Sequence, residues 1–345
     1  MVQDKALSPG TRLTSWDVAR KAGVSQSLVS RAFSGNGRVA AETREHILKV
    51  AADLGWQPNA LARSMVSGDT PLVAIVTSRL GYAWRAQVMS RLLEALDRLA
   101  LRPLVFHARK DAGTDELLAE ALSWQTKGVI VSVGSVTPEF AEALHKQGRF
   151  LVTLNRGADH EGAFSIATDN HRAGMHAATA LINDGARRPI MIAGPDDAWA
   201  SRMRAAGYTD ALGQHGKRAV VWHYPDLSRE YGKTAGARFL ALPRSRRPDA
   251  VFAANDALAL GFMDHLREFG VRVPDDVALI GFDDLPEASY TPYRLTTFRQ
   301  PLEVMTDRIV DFVAERVAGR TPPTSADITY VPATFVPRAT LRGDQ

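Results

Sequence analysis

The chain has no cysteine among its 345 residues, which excludes disulfides and thiolate-held metal. It has no run of about 18 apolar residues, so no segment reads as a membrane-spanning helix. The opening MVQDKALSPG carries no apolar stretch of the kind that directs export, and a cytoplasmic location is expected. Nine histidines lie scattered without HxxxH or HExxH spacing, so no metal site is expected. A nucleophile elbow, a P-loop and a GxGxxG are all missing, and with them any signal for a cofactor or a catalytic residue. The expectation is a protein that is not an enzyme.

Excess positive charge is absent everywhere but at one end. Residues 1–68 hold nine Lys/Arg against five Asp/Glu, while the remainder holds 33 of each. The whole excess of +4 therefore sits on the first 68 residues. That is the footprint of a small phosphate-binding module attached to a neutral body. An apolar content of 45% and a charged content of 23% are those of a globular protein with a sizeable core.

Within the basic end, RLTSWDVARKAGVSQSLVSR reads as two short helices. Thr14 and Asp17 have capping-box spacing, Val18 and Ala19 face inward, and Gly23 breaks the run. Ser25 is placed to cap a second helix, in which Leu28 and Val29 pack back on the first. Gln26, Ser27, Ser30 and Arg31 are left on the outer side. Two helices, a glycine turn and an outer face of amide, hydroxyl and guanidinium make a helix-turn-helix, whose donors and acceptors suit base edges in a major groove. A third helix near Glu42–Leu54 carries Ile47, Val50, Ala51 and Leu54 inward, with Ala40 at its cap position in place of a hydroxyl residue. Pro58–Val66 is too short to hold a helix alone in water. Ser67-Gly-Asp-Thr-Pro71 marks a boundary.

From Leu72 the chain alternates. Short apolar runs at Leu72–Val76, Leu104–Phe106, Val129–Val133, Phe150–Leu154, Ile190–Ile192, Val220–Trp222, Val251–Ala253 and Val277–Ile280 are separated by helical patterns such as Val88-Leu92-Leu96-Leu99. Such repeats predict parallel sheets covered on both faces. About ten strands exceed one comfortable sheet, so two doubly wound α/β subdomains are expected, with a ligand site in the cleft at their strand ends. Polar residues cluster at those ends: Asp169, Asn255-Asp256, Asp283-Asp284, and Arg204 in the helix after Ile190–Gly194. Carboxylates that accept hydroxyl hydrogens, a forked guanidinium and aromatic faces suit a polyhydroxylated small molecule. Helix capping is the competing role for Asp256 and Asp284. Acid–base catalysis by the Asp283-Asp284 pair is disfavoured, because adjacent residues at a strand end tend to point opposite ways.

AGVSQSLVSRAFSGNGRVAAETREHILKVAADLGWQPNALARSM resembles the headpiece of the lactose-repressor family of bacterial transcription regulators. PDDVALIGFDD and ANDALALG are similar to the same family's effector domain. The resemblance implies an α/β protein: a small all-α helix-turn-helix headpiece (1–57), a hinge helix and linker (58–70), and an effector-binding and dimerisation domain of two periplasmic-binding-protein-type subdomains (71–345). It implies DNA contacts from Thr14, Ser25, Gln26, Ser27, Ser30, Arg31, Thr43, Asn59 and Ala62, with Met65 as the side chain that wedges a base step. It implies effector contacts from Asp169, Arg204, Asn255, Asp283 and Gln300, with Tyr82 and Trp84 supplying apolar surface. Leu227 stands where many relatives carry a stacking aromatic. The implied partners are a near-palindromic double-stranded operator, a small effector, most simply a carbohydrate, and a second copy of the chain. FVPRATLRGDQ at the end has no heptads, so a homodimer is expected. A periplasmic solute-binding protein and an α/β enzyme are the rival readings.

Overall fold

The computed structural model describes residues 13–34, 39–59, 70–108, 114–134, 136–156, 162–320 and 327–343. The chain forms two compact units, Met1–Thr70 and Pro71–Gln345. In the first, α1 (Ser15–Ala22), α2 (Gln26–Ser34) and α3 (Ala41–Asp53) enclose one small core. Val18, Ala19, Val29, Ala32, Ile47 and Ala51 are buried in it, and Phe33 meets Trp56 edge to face at 5.2 Å. Asp17 accepts from the Thr14 amide at 3.0 Å and from its hydroxyl at 2.7 Å, which ties the entry to α1. Gly23 ends α1 with φ +69, a conformation that suits glycine, and its amide bonds to Ala19. Ser25 then accepts from Leu28 N at 3.3 Å, so the turn closes in three residues. Ala40 gives α3 no side-chain cap; only its carbonyl enters the ladder, at 2.9 Å from Arg44 N. The hinge residues Ala62 and Met65, like the tail 1–11, lie outside the described residues.

The second unit has two lobes. Its first sheet is parallel throughout, in the order β11-β5-β4-β3-β1-β2. The strands are β1 (Leu72–Thr77), β2 (Arg102–His107), β3 (Gly128–Val131), β4 (Phe150–Leu154), β5 (Ala163–Thr168) and β11 (Thr329–Val331). Helices α4 (Ala83–Arg98), α5 (Thr114–Ser123), α6 (Pro138–Lys146) and α11 (Leu302–Val317) cover it. Every residue of β1, LVAIVT, is buried, as expected for a strand with helices on both faces. Separate clusters fill the two faces, one around Ile75, Leu92 and Ile309, the other around Val76, Leu118 and Leu144.

The second lobe carries the parallel sheet β7-β6-β8-β9, built from β6 (Pro189–Ala193), β7 (Val221–His223), β8 (Ala250–Ala253) and β9 (Ala278–Ile280). Its helices are α7 (Asn170–Asn183), α8 (Trp199–Gln214), α9 (Arg229–Ala241) and α10 (Asp256–Glu268). An antiparallel pair, β10 (Thr297–Arg299) and β12 (Thr334–Val336), completes it. The chain crosses between lobes three times, at β5–α7, at β10–α11 and at β11–β12. The sequence pattern misses β11 and β12 because three-residue strands such as Thr329-Tyr-Val331 hold too few apolar residues to stand out from a loop.

Candidate functional sites: the headpiece face and the interlobe cleft

On the headpiece, Thr14, Ser25, Ser27, Ser30, Arg31 and Asn59 are exposed, while Gln26 and Thr43 are half-buried. Gln26 is not loose: its Nε2 donates to Ser15 Oγ at 3.1 Å across the helix turn. The Ser25 and Ser27 hydroxyls lie 3.0 Å apart, and Arg31 Nε reaches back to Ser27 O at 3.4 Å. Trp16 was not singled out by the sequence pattern. It is 66% exposed on α1 and shares a shallow hollow with Ser25, Gln26 and Ser27. That exposure was readable only once α1 had a core-facing side.

The cleft of the second unit is lined from the first lobe by Tyr82, Trp84, Arg85, Ser132, Asn155 and Arg156. The second lobe and the crossing add Trp199, Ser201, Arg204, Leu227, Asn255, Asp283 and Gln300, so six of the seven expected residues meet there. Asp169 does not join them. Its carboxylate accepts from Arg172 N at 3.0 Å as the α7 cap, and it lines a different hollow with His176 and Phe298. The next residue takes the inward place: Asn170 is buried, and its Oδ1 accepts from Arg204 Nη1 at 2.5 Å. One step around the first helical turn exchanges the two.

Arg204 is only 4% exposed, with its guanidinium 4.0 Å from the centre of the Phe282 ring. Burial pushes it down to about 10, against the pull of Asp283. Its Nε has no partner. Asn255 caps α10 through Leu258 N at 2.9 Å and donates to Leu227 O at 3.0 Å, so it is both cap and cleft wall. Tyr82 Oη accepts from Leu227 N at 3.3 Å, linking the lobes.

Asp283 sits at φ 122, where non-glycine backbone is strained, and this aims its carboxylate at Gln300 and the cleft. Gln300 Nε2 donates to it at 2.6 Å, while Gln300 Oε1 accepts from Asn155 Nδ2 at 3.1 Å and Thr168 Oγ1 at 2.8 Å. Asn155 Oδ1 in turn accepts from Thr168 N at 2.8 Å, which fixes both amide orientations. One relay thus runs from first-lobe backbone to a second-lobe carboxylate. Asp284 points away and is held by Arg299 at 2.7 Å and Arg338 at 2.6 Å. The adjacent pair therefore presents one carboxylate to the cleft, not two.

Asp256 is fully buried behind the site, bonded to Thr297 Oγ1 at 2.6 Å and Leu285 N at 2.8 Å. Burial, reinforced by Asp283, pushes its carboxyl up to about 7; burial also raises Asp283 to about 6, opposed by Arg204 and Gln300. A carboxyl raised above its unfolded value of about 3.9 stabilises the fold fully below that value and loses the contribution as pH rises through the folded value. Stability linked to Asp256 should thus fall between about pH 4 and 7, by at most roughly 4 kcal/mol. Asp256→Asn should flatten that part of a urea-midpoint profile against pH. An unchanged slope would mean that Asp256 stays ionised.

A compact helical module with a polar outer face, followed in the chain by a two-lobed domain with polar residues converging in its cleft, defines the class: a DNA-reading headpiece joined to a ligand-binding body. Residues 16–59 match the model of the bacterial regulatory proteins of the lacI family, and residues 178–341 match the periplasmic binding protein-like domain. The HTH-type transcriptional regulator AscG of Escherichia coli (strain K12) is 30% identical over 305 residues, covering 86% of this chain and 90% of that protein. Among solved structures, the transcriptional regulator CelR–cellobiose complex is 28% identical, with a TM-score of 0.67 over 95% of this chain and all of that one. The lac repressor dimer bound to operator and the anti-inducer ONPF shares the fold, with a TM-score of 0.82 at 24% identity over 96% of this chain and 99% of that one. The chain belongs to the lactose-repressor family of bacterial regulatory proteins. It is a DNA-binding transcription regulator. No helix among the described residues is long and apolar enough to cross a membrane.

Proposed function

We propose that the protein is a cytoplasmic repressor that binds a near-palindromic operator as a homodimer, its affinity set by a sugar or sugar derivative held between the lobes. Its working parts are a headpiece of residues 1–57, a hinge of 58–70 and an effector domain of 71–345. The observation that carries the reading is the Asn155–Gln300–Asp283 relay, which joins the two lobes at the floor of a cleft also lined by Arg204 and Asn255. A ligand that exchanges hydrogen bonds with that relay favours one lobe angle over another, and so one operator-binding state. Tyr82 and Trp84 offer ring faces to the C–H surface of a sugar. Asp169, a cap outside this cleft, takes no part. An enzymatic role is disfavoured because Asp284 is occupied by two arginines and Asp283 is the one carboxylate among the described residues lining the cleft.

Gln26, Ser27 and Arg31 are the direct readers in this account, supported by Thr14, Ser25, Ser30, Thr43, Asn59 and Ala62, with Met65 entering the minor groove. A lost bidentate base contact costs about 1–3 kcal/mol of discrimination. Selection from random duplexes should return a near-palindrome, and the Gln26→Ala/Ser27→Ala double variant should return a different one. Arg31→Ala should weaken specific binding overall. Recovery of the same consensus by the double variant would remove α2 as the reading element.

A further inference from the structure

The first-lobe wall of the cleft holds more positive charge than the site itself neutralises. Arg85 and Arg156 of the first lobe and Arg204 of the second line the cleft, and Asp283 is the one carboxylate among the described lining residues. Arg204 and Asp283 attract one another, which leaves Arg85 and Arg156. Arg85 Nη1 bonds to Ser78 O at 2.6 Å and Ser78 Oγ at 2.7 Å, both neutral. Arg156 has no hydrogen bond or ion pair among the described residues, and its Nε is buried and unmatched. These two guanidiniums repel one another, and Arg202 adds to the repulsion at Arg156. Among the described residues, Asp197, exposed on the second lobe, is the one acid that acts on Arg156. Burial and Arg85 together push Arg156 down to about 10.

More donors point the same way. Among the described residues Trp84 Nε1 is buried with no acceptor, and so is Arg204 Nε, on a side chain 96% buried by its 4% exposure. The first turn of α4, which contributes Trp84 and Arg85, contains no acidic residue. Donors held without acceptors in a buried wall are costly, and like charges left together cost more. A cleft made this way is completed by an acceptor-rich, negatively charged group, for which a planar guanidinium fork is the matching partner.

We propose that the effector is anionic: a sugar-like body bearing a carboxylate or phosphate, its charge held by Arg85 and Arg156 of the first lobe. Its hydroxyls meet Arg204, Asn255, Asp283 and Gln300 across the cleft. Such a ligand bridges the lobes by an ion pair at one end and by hydrogen bonds from its hydroxyls at the other. This rests on the cleft being the effector site, and the test keeps the two apart.

The full chain is titrated calorimetrically with glucuronate, gluconate, glucose 6-phosphate, inorganic sulfate and, as the neutral counterpart, glucose. At least one acidic sugar should bind 30-fold or more tightly than glucose, and the carboxylate and phosphate arms identify which anion is meant. Arg156→Gln and Arg85→Gln should each weaken that ligand tenfold or more. Arg156→Lys should keep most of the binding, which separates lost charge from lost folding. Exposed Arg272→Gln should change nothing. The proposal is overturned if glucose binds as tightly as the acids, if both glutamine variants keep full affinity, or if every anion is silent. Operator affinity of the same samples is measured separately. Anion binding that leaves operator affinity unmoved would sink the regulatory reading of the cleft and leave the anion site standing.

Discussion

Replacing Arg204 with alanine is expected to move the effector response to roughly 10- to 150-fold higher ligand while leaving effector-free operator binding intact. The guanidinium is fixed on three sides, by Asn170 at 2.5 Å, by the Phe282 ring at 4.0 Å and by the charge of Asp283. Its remaining donors therefore meet a ligand without losing rotamer freedom on binding. A hydrogen bond involving a charged group contributes about 1.5–3 kcal/mol, which corresponds to roughly a 10- to 150-fold loss of affinity. Asp283→Ala should have an effect of the same size, because it also frees Gln300 Nε2 and breaks the link to Asn155. Arg204→Lys should not rescue, since an ammonium has neither the fork nor the flat face that Phe282 supports. Titrating each variant with the ligand found for the parent checks this. Two variants with the parent midpoint would place the effector elsewhere.

Gly174→Val is expected to be the most damaging single change to the fold of the second lobe. A Cβ at Gly174 would lie 2.1 Å from Arg204 O, and one at Gly207 would lie 1.9 Å from His171 O. Helices α7 and α8 touch backbone to backbone at these two points, and that approach brings Asn170 within reach of Arg204. A backbone carbonyl cannot rotate away as a side chain does, so the helices must part. Overpacking costs about 1–3 kcal/mol where side chains yield, and more is expected here. The valine variant should unfold at distinctly lower urea and bind effector poorly, because Asn170 and Arg204 separate together. A variant with parent stability and parent affinity would mean that the helix contact is loose.

Much of this was legible in the residues because several levels agreed. The Thr14–Asp17 spacing, Gly23 and Ser25 each mark one end of a helix, and the structure uses each at that end. Apolar runs such as Leu72–Val76 announce buried parallel strands because helices cover both faces. Asp169 was harder: a strand-end aspartate before a helix caps or faces the cleft depending on one residue of rotation. No periodicity resolves that. Arg85 and Arg156 were missed for a related reason. Arginines beside loops look solvated until the fold places them in a wall, and their missing counter-charges are visible only in three dimensions. The Gln300 relay joins positions 155, 168, 283 and 300, a set whose spacing carries no pattern.

In the proposed function one molecule both reads DNA and lets the cleft govern that reading. A single experiment meets it: titrate the duplex recovered by site selection with the full chain, with and without a saturating cleft ligand, for the parent and for Arg204→Ala. The ligand is expected to change operator affinity at least tenfold in the parent, in either direction, while Arg204→Ala needs roughly 10- to 150-fold more ligand for the same change. A ligand that occupies the parent cleft yet leaves operator affinity unchanged would contradict it.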